Sequence, residues 1–236
     1  MRANFESYFY LFRCCLLIMI MYPTVHFTLF FNTKYKNYDY NKKCYIIKNI
    51  IKSLILGYIS IDAFNLLSNA YVDIWDNKVL NEFATMYVAN DIVGLLLIPK
   101  LPFTTKIHHL TSASFLIYSY HIEFNEPNIG RLLFILCIFS CFSFLVNFYL
   151  AIRYLENKED KILTRSIDVI RRTSYYIYIV CCVINWCIQL IYIYHRVLDN
   201  TFDYTYCIYI GLLAFIINDD LILMSWLRNQ NTIKND

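Results

Sequence analysis

Apolar residues in this chain do not alternate with polar ones. They run on for about twenty positions at a time and then give way to short polar clusters. About 20 mostly apolar residues is what an α-helix needs to cross a hydrocarbon core about 30 Å thick. The pattern predicts seven such helices: Tyr8–Phe31, Tyr45–Leu67, Val79–Ile98, Leu101–Ile122, Arg131–Ile152, Thr173–Tyr194 and Tyr204–Leu227. The strands of a closed barrel would be about ten residues long and would alternate apolar with polar, and these runs do neither. The expected fold class is all-α, a polytopic transmembrane helical bundle of about seven spans.

Composition sharpens this. The 236 residues are 58% hydrophobic, 18% aromatic and only 17% charged, whereas soluble domains carry about 25% charged residues spread through every window. Four Gly and four Pro leave few turns and long elements. A net charge of +3 with no basic face on a soluble domain argues against a nucleic-acid partner. Asn, Lys, Ile and Tyr are abundant relative to Gly, Ala and Pro, a coding bias that strips single Asn or Tyr residues of functional weight. Nine Cys lie mostly inside apolar runs with no C-x-x-C and His at zinc spacing, so packing is their expected role. Cys14-Cys15, near the start of the first run, is a place for palmitoylation. That first run is longer than a signal-peptide core and is followed by no small-residue cleavage pattern, so it is expected as a retained span.

Basic residues set an orientation. Lys34, Lys36, Lys42, Lys43, Lys48, Lys52, Lys100, Lys106, Arg153, Lys158, Lys161, Arg165, Arg171, Arg172, Arg228 and Lys234 fall on one side, sixteen against Arg2, Arg13, Lys78, Arg131 and Arg196. The expectation is a lumenal N-terminus and a cytosolic C-terminus. Three regions follow: residues 1–42 (first span and basic loop), 43–228 (the remaining spans) and a short cytosolic tail at 229–236. The polar segment Asn157–Arg172 suits a cytosolic interfacial helix able to touch anionic lipid heads.

The polar residues inside the runs carry the chemistry. Asp91 lies seven residues before Ile98, so about 10 Å into the third run, and His108-His109 open the fourth. Only a short connection around Pro99 and Pro102 separates the two, so they should be antiparallel neighbours with Asp91 and the His pair at one depth. An ionised Asp at a helix centre costs about 2.5–3.5 kcal/mol on insertion scales and turns toward the bundle interior or a water-filled cavity. Adjacent side chains on a helix diverge by about 100°, so one His can meet Asp91 while the other points into a cavity. Asn218-Asp219-Asp220 in the seventh run reaches a similar depth. Asp62, Asn65 and Asn69 recur on one face of the second run and read as an interhelical seam. Asn147, Asn185 and Gln189 read as interhelical hydrogen-bonding residues. Neighbouring His residues seldom bind one ion together and no third ligand is obvious, so neither a metal nor a cofactor is expected.

An Asp in one span, a short basic connection and adjacent His opening the next span is similar to the TLC (TRAM/Lag/CLN homology) domain. Here these are Asp91-Ile92-Val93 and Lys106-Ile107-His108-His109. Glu123-Phe-Asn-Glu-Pro127 followed by Arg131 resembles the E-x-S-x-P…R segment of the branch that is not ceramide synthase, with Asn125 in place of Ser and the Arg shifted by about one residue. The resemblance covers Lys43 to Trp226. It implies a membrane domain of the endoplasmic reticulum tied to lipid binding, sensing or synthesis, with membrane lipids as partners, sphingolipid or acyl-CoA among them. It also implies a site of Asp91, His108, His109, Glu123 and Arg131, to which Asp219 is added by depth. Ceramide synthases of the family place a D-x-x-D pair on the span after the His, and Arg131–Leu155 contains no such pair. The leading expectation is therefore a lipid-binding or lipid-sensing protein that influences membrane lipid composition. An acyl-CoA-dependent N-acyltransferase with His108 or His109 as general base, recruiting Asp91 or Asp219/Asp220 as its carboxylate partner, is the enzymatic alternative. A secretory-pathway cargo or translocation factor, which would need protein partners that the sequence does not name, is the third.

Overall fold

The computed structural model describes residues 2–156 and 160–229, with side chains from residue 5 onward. Every regular element among these residues is a helix: α1 (Arg2–Leu29), α2 (Thr33–Lys36), α3 (Tyr40–Tyr71), α4 (Asn77–Leu97), α5 (Phe103–Ser119), α6 (Ile129–Cys141), α7 (Phe144–Ile152), α8 (Lys161–Leu198) and α9 (Tyr204–Asn229). Side-chain caps start several of them. Asp39 accepts from Lys42 N, Asp76 from Lys78 N and Val79 N, and Asp160 from Ile162 N and Leu163 N. α5 instead begins directly after Pro102, without a side-chain cap.

Each apolar run falls on helix, but seven spans are not established. α1, α3, α8 and α9 are long and apolar enough to cross a membrane, and α6 with α7 makes a fifth if the bent pair counts as one. α5, at 17 residues, is short. α4 has 21 residues but carries Asn81, Glu82, Asn90 and Asp91. The physical reason lies in its surroundings: α4 packs against α1, α3, α5 and α6. A helix walled in by protein needs no lipid-facing apolar surface and tolerates polar groups that face the interior.

Connections alternate between two ends. The near end holds α2, the α4–α5 turn and the α7–α8 connection, where Tyr38 Oη donates to Tyr154 O at 2.8 Å. The far end holds the α3–α4, α5–α6 and α8–α9 connections. One core cluster joins α1 to the bundle through Ile18 and Tyr22 against Ile46, Ile51, Ala89 and Val93. The predicted fifth span breaks at Phe142–Ser143 and bends by 47°. The bend swings α7 onto α3, where the Phe144 ring covers Gly57.

Four sequence expectations need correction or placement. Lys48 and Lys52, counted among the surface basic residues, are buried on α3. Asp62, Asn65 and Asn69 do not form an interhelical seam: all three are exposed, on a face of α3 beside the buried stripe of Ile59, Ala63 and Leu66. Residues 161–172 are no separate interfacial helix but the first turns of the 38-residue α8, while 157–159 lie outside the described residues. The tail expected over 229–236 lies outside them too, apart from Asn229. Gln189 does link helices, as its Nε2 donates to Leu132 O at 2.9 Å and Tyr209 Oη donates to its Oε1 at 2.7 Å, while Asn185 Oδ1 accepts from Gln189 on the same helix. All nine cysteines are unpaired thiols.

Candidate functional site

The α4–α5 hairpin brings Asp91, His108 and His109 together, with one ligand atom from each lying within 4.8 Å of the others. Asp91 is wholly buried. Its Oδ1 accepts from Lys52 Nζ at 2.7 Å and lies 3.3 Å from His109 Nδ1. The His109 contact has ion-pair distance without hydrogen-bond alignment, so His109 Nδ1 and Asp91 Oδ2 have no hydrogen-bond partner among the described residues. Lys48 Nζ meets His109 Nε2. If Lys48 donates there, Nδ1 carries the ring proton and faces the carboxylate. Lys48 and Lys52 stand one helical turn apart on α3, which presents both ammonium groups to one face.

The fit is tight. Gly94 on α4 makes room for the Lys48 stem, since a Cβ there would stand 3.0 Å from Lys48 Cε. Taking two ammonium groups and a carboxylate out of water is repaid only when the charges pair closely and the remaining valences find partners. Lys52 and Asp91 meet the first condition at 2.7 Å, Asp91 Oδ2 is left without a hydrogen-bond partner among the described residues, and His109 is held between Lys48 and Asp91.

His108 diverges from its neighbour, with ring centroids 5.7 Å apart at 70°. It lines a chamber of about 210 Å³ bounded by α3 to α9. On α5 the chamber face is His108, Ser112, Phe115 and Ser119; on α9 it is Leu212, Phe215, Ile216, Asp219, Asp220 and Leu223. Both sets follow helical spacing, so each helix turns one stripe inward. His108 to Ser119 is eleven residues, about 16 Å along the axis at 1.5 Å per residue. Polar groups gather at the end toward the α4–α5 turn, where Lys52 also reaches the wall. Asp220 accepts from Tyr178 Oη at 2.6 Å and Trp186 Nε1 at 3.3 Å. Neither the His108 ring nor the Asp219 carboxylate has a hydrogen-bond partner among the described residues. Toward the far end the wall is mainly Leu133, Phe134, Phe124 and Leu212.

Glu123 and Arg131 are not at this site. Asn77 Nδ2 bonds Glu123 Oε2, at the opposite end of α4 from Asp91, about 21 Å away along the helix axis. Arg131 clasps the far-end loops: its Nε donates to Phe124 O, Nη1 to Asp73 Oδ1 and Nη2 to Asn125 O, each at 2.7 Å. The guanidinium also covers the Trp75 ring at 4.6 Å. Trp75 Nε1 donates to Asp73 Oδ1, and this bond, then the guanidinium, holds the Asp73 carboxyl below the usual carboxylate range.

Asp91, His108 and His109 are compact enough to hold a metal ion, but the donor set is poorly suited. An ion would meet two ammonium groups, and His109 Nδ1 could bind it only with the proton on Nε2, which faces Lys48. Lys48, Lys52, Tyr178 and Trp186 were missed as site residues by sequence reasoning. The available signal was two lysines four residues apart inside an apolar run, a spacing a solvated loop does not need.

An all-helical integral membrane protein with a buried charged cluster beside an elongated chamber is the class these features define. Comparison with protein-family models, with curated proteins and with solved structures finds no match.

Proposed function

We propose that this protein binds or senses membrane lipid within the α5–α9 chamber and thereby influences membrane lipid composition. The observation that carries the reading is the chamber's polarity along its length. Lys52, His108, Asp219 and Asp220, the ionisable side chains of the wall apart from phenol and thiol groups, gather at one end, and mainly apolar side chains, with the uncharged Ser119 and Asn185 among them, line the rest. A length of about 16 Å matches half of a hydrocarbon core about 30 Å thick, so one acyl chain can lie along α5 with its head at the polar end. α5 and α9 make little direct contact and both line the chamber. The similarity to TLC domains supports the same reading in part: of the residues behind it, Asp91, His108 and His109 meet beside that chamber, while Glu123 and Arg131 lie at the far end. With it come the seven spans, an endoplasmic-reticulum location, a lumenal N-terminus and a cytosolic near end carrying Lys34, Lys36, Lys42, Lys43 and Lys100.

Purified full-length protein in lipid nanodiscs tests this by the lipid it retains on transfer to detergent. Ser112→Trp, which fills the chamber, should remove most retained lipid while the thermal midpoint holds. Retention indifferent to Ser112→Trp would sink the proposal.

One observation favours an acyl-transfer enzyme as the second reading. The family's missing carboxylate pair has a stand-in in Asp219 and Asp220, on the chamber wall with His108. His108 would then be the general base, and Asp91 with His109 would position it. Incubation with sphingoid base and acyl-CoA of several chain lengths decides: product formation abolished by His108→Ala establishes this reading, and no product removes it.

A further inference from the structure

The charges around the chamber's polar end do not suit a purely anionic occupant. Lys48 and Lys52 stand against Asp91, Asp219 and Asp220, two basic groups facing three carboxyl groups, so the region holds one carboxyl group more than it has basic side chains, the imidazoles aside. Lys52 is already compensated by Asp91 at 2.7 Å. Asp219 has no compensating cation in contact and no hydrogen-bond donor among the described residues, and it lies near enough to His108 to interact with it electrostatically. Asp220 is different, because Tyr178 and Trp186 already donate to it. An anion alone would meet Asp219 unshielded.

A purely cationic head would leave the opposite valence open. Lys52 has three N–H donors, of which Asp91 takes one. A neutral His108 ring offers one donor, and the ring makes no hydrogen bond among the described residues. Donors thus stand on the α3 and α5 walls and an open carboxylate on the α9 wall, all facing one end of one chamber.

Resting on the lipid-binding reading above, we propose that the occupant is a zwitterionic lipid. Its anionic group takes Lys52 and His108, its ammonium group takes Asp219, and its chain runs toward Phe134 and Leu212. Bridging the two walls satisfies each set of open valences and adds no net charge to a site that is already one carboxylate in excess. Asp91 acts as a positioning residue that holds Lys52 at the chamber wall.

The test is retention by purified full-length protein from nanodiscs containing equal parts of three amphiphiles with matched chains: phosphatidylethanolamine, phosphatidylglycerol and a long-chain primary amine. The wild-type protein should retain the zwitterion over either competitor by about tenfold, a charge-assisted contact's share of affinity. Asp219→Asn should abolish the preference over phosphatidylglycerol, and His108→Leu should weaken the preference over the amine, both at unchanged thermal midpoint. Preference for phosphatidylglycerol or the amine in the wild type, or selectivity unaltered by Asp219→Asn, overturns the headgroup assignment and leaves lipid binding standing. Absence of any retained amphiphile that responds to Ser112→Trp overturns both.

Discussion

Asp91 and Lys52 form the buried pair on which the near end of the bundle depends. Breaking a buried pair strands one charge and costs about 3–5 kcal/mol, whereas replacing both members with apolar groups of similar volume is often neutral. Lys52→Met should therefore lower the thermal midpoint of the detergent-solubilised protein sharply, and Lys52→Met with Asp91→Leu should recover most of the loss. Gly94 sets a second constraint. A Val there would push against the Lys48 stem and, as overpacking in a close-packed interior, should cost about 1–3 kcal/mol. At the far end, Asp73 has a depressed carboxyl through Trp75 and Arg131. A depressed folded-state value contributes stability above the unfolded carboxylate value, near pH 4, and that stability is lost as pH falls through the folded value. The wild type should thus lose stability relative to Asp73→Asn when acid unfolding is followed below about pH 4, and only weakly, by about 1 kcal/mol or less, because the Asp73 side chain is 75% exposed.

Helix ends and breaks decide how the chamber walls are held. Arg171 on α8 donates from Nη1 to Leu227 O at 2.7 Å, capping the last turn of α9, and also holds Asp168. Removing a charged donor from a buried carbonyl costs about 1–3 kcal/mol. Arg171→Met should accordingly raise amide exchange in the last turns of α9 while leaving the α4–α5 hairpin protected. That hairpin was legible beforehand, because two prolines interrupt the apolar pattern between Asp91 and His108. The break at Phe142–Ser143 was not, since no Pro or Gly marks it. It follows from packing of α7 onto α3, which local pattern does not encode. The outward face of Asp62, Asn65 and Asn69 was misjudged for a related reason: spacing puts three residues on one stripe but does not say which way the stripe turns.

For the whole molecule, the proposed seven spans require α4 and α5 to cross the membrane despite a polar α4 and a 17-residue α5. Glu126→Cys and Lys100→Cys lie at opposite ends of this pair, beside α5–α6 and in the α4–α5 turn. With a membrane-impermeant maleimide, the two should label from opposite faces of sealed vesicles. Labelling from the same face would show that α5, which the two positions bracket, does not span.

Hydropathy and spacing alone determined that this chain is helical, rich in long apolar helices that fit a membrane protein, and interrupted by a carboxylate and two imidazoles on one helical hairpin. These are local properties, readable from residues close together in the sequence. Which polar groups meet was decided by the rotation of each helix about its axis and by lateral packing. Those set Lys48 and Lys52 of α3 against the α4–α5 hairpin, turned His109 inward and His108 into the chamber, and brought Asp219 across from it. They also removed Glu123 and Arg131 to the far end. Such contacts join residues tens to more than a hundred positions apart, so their energies enter only once the helices pack.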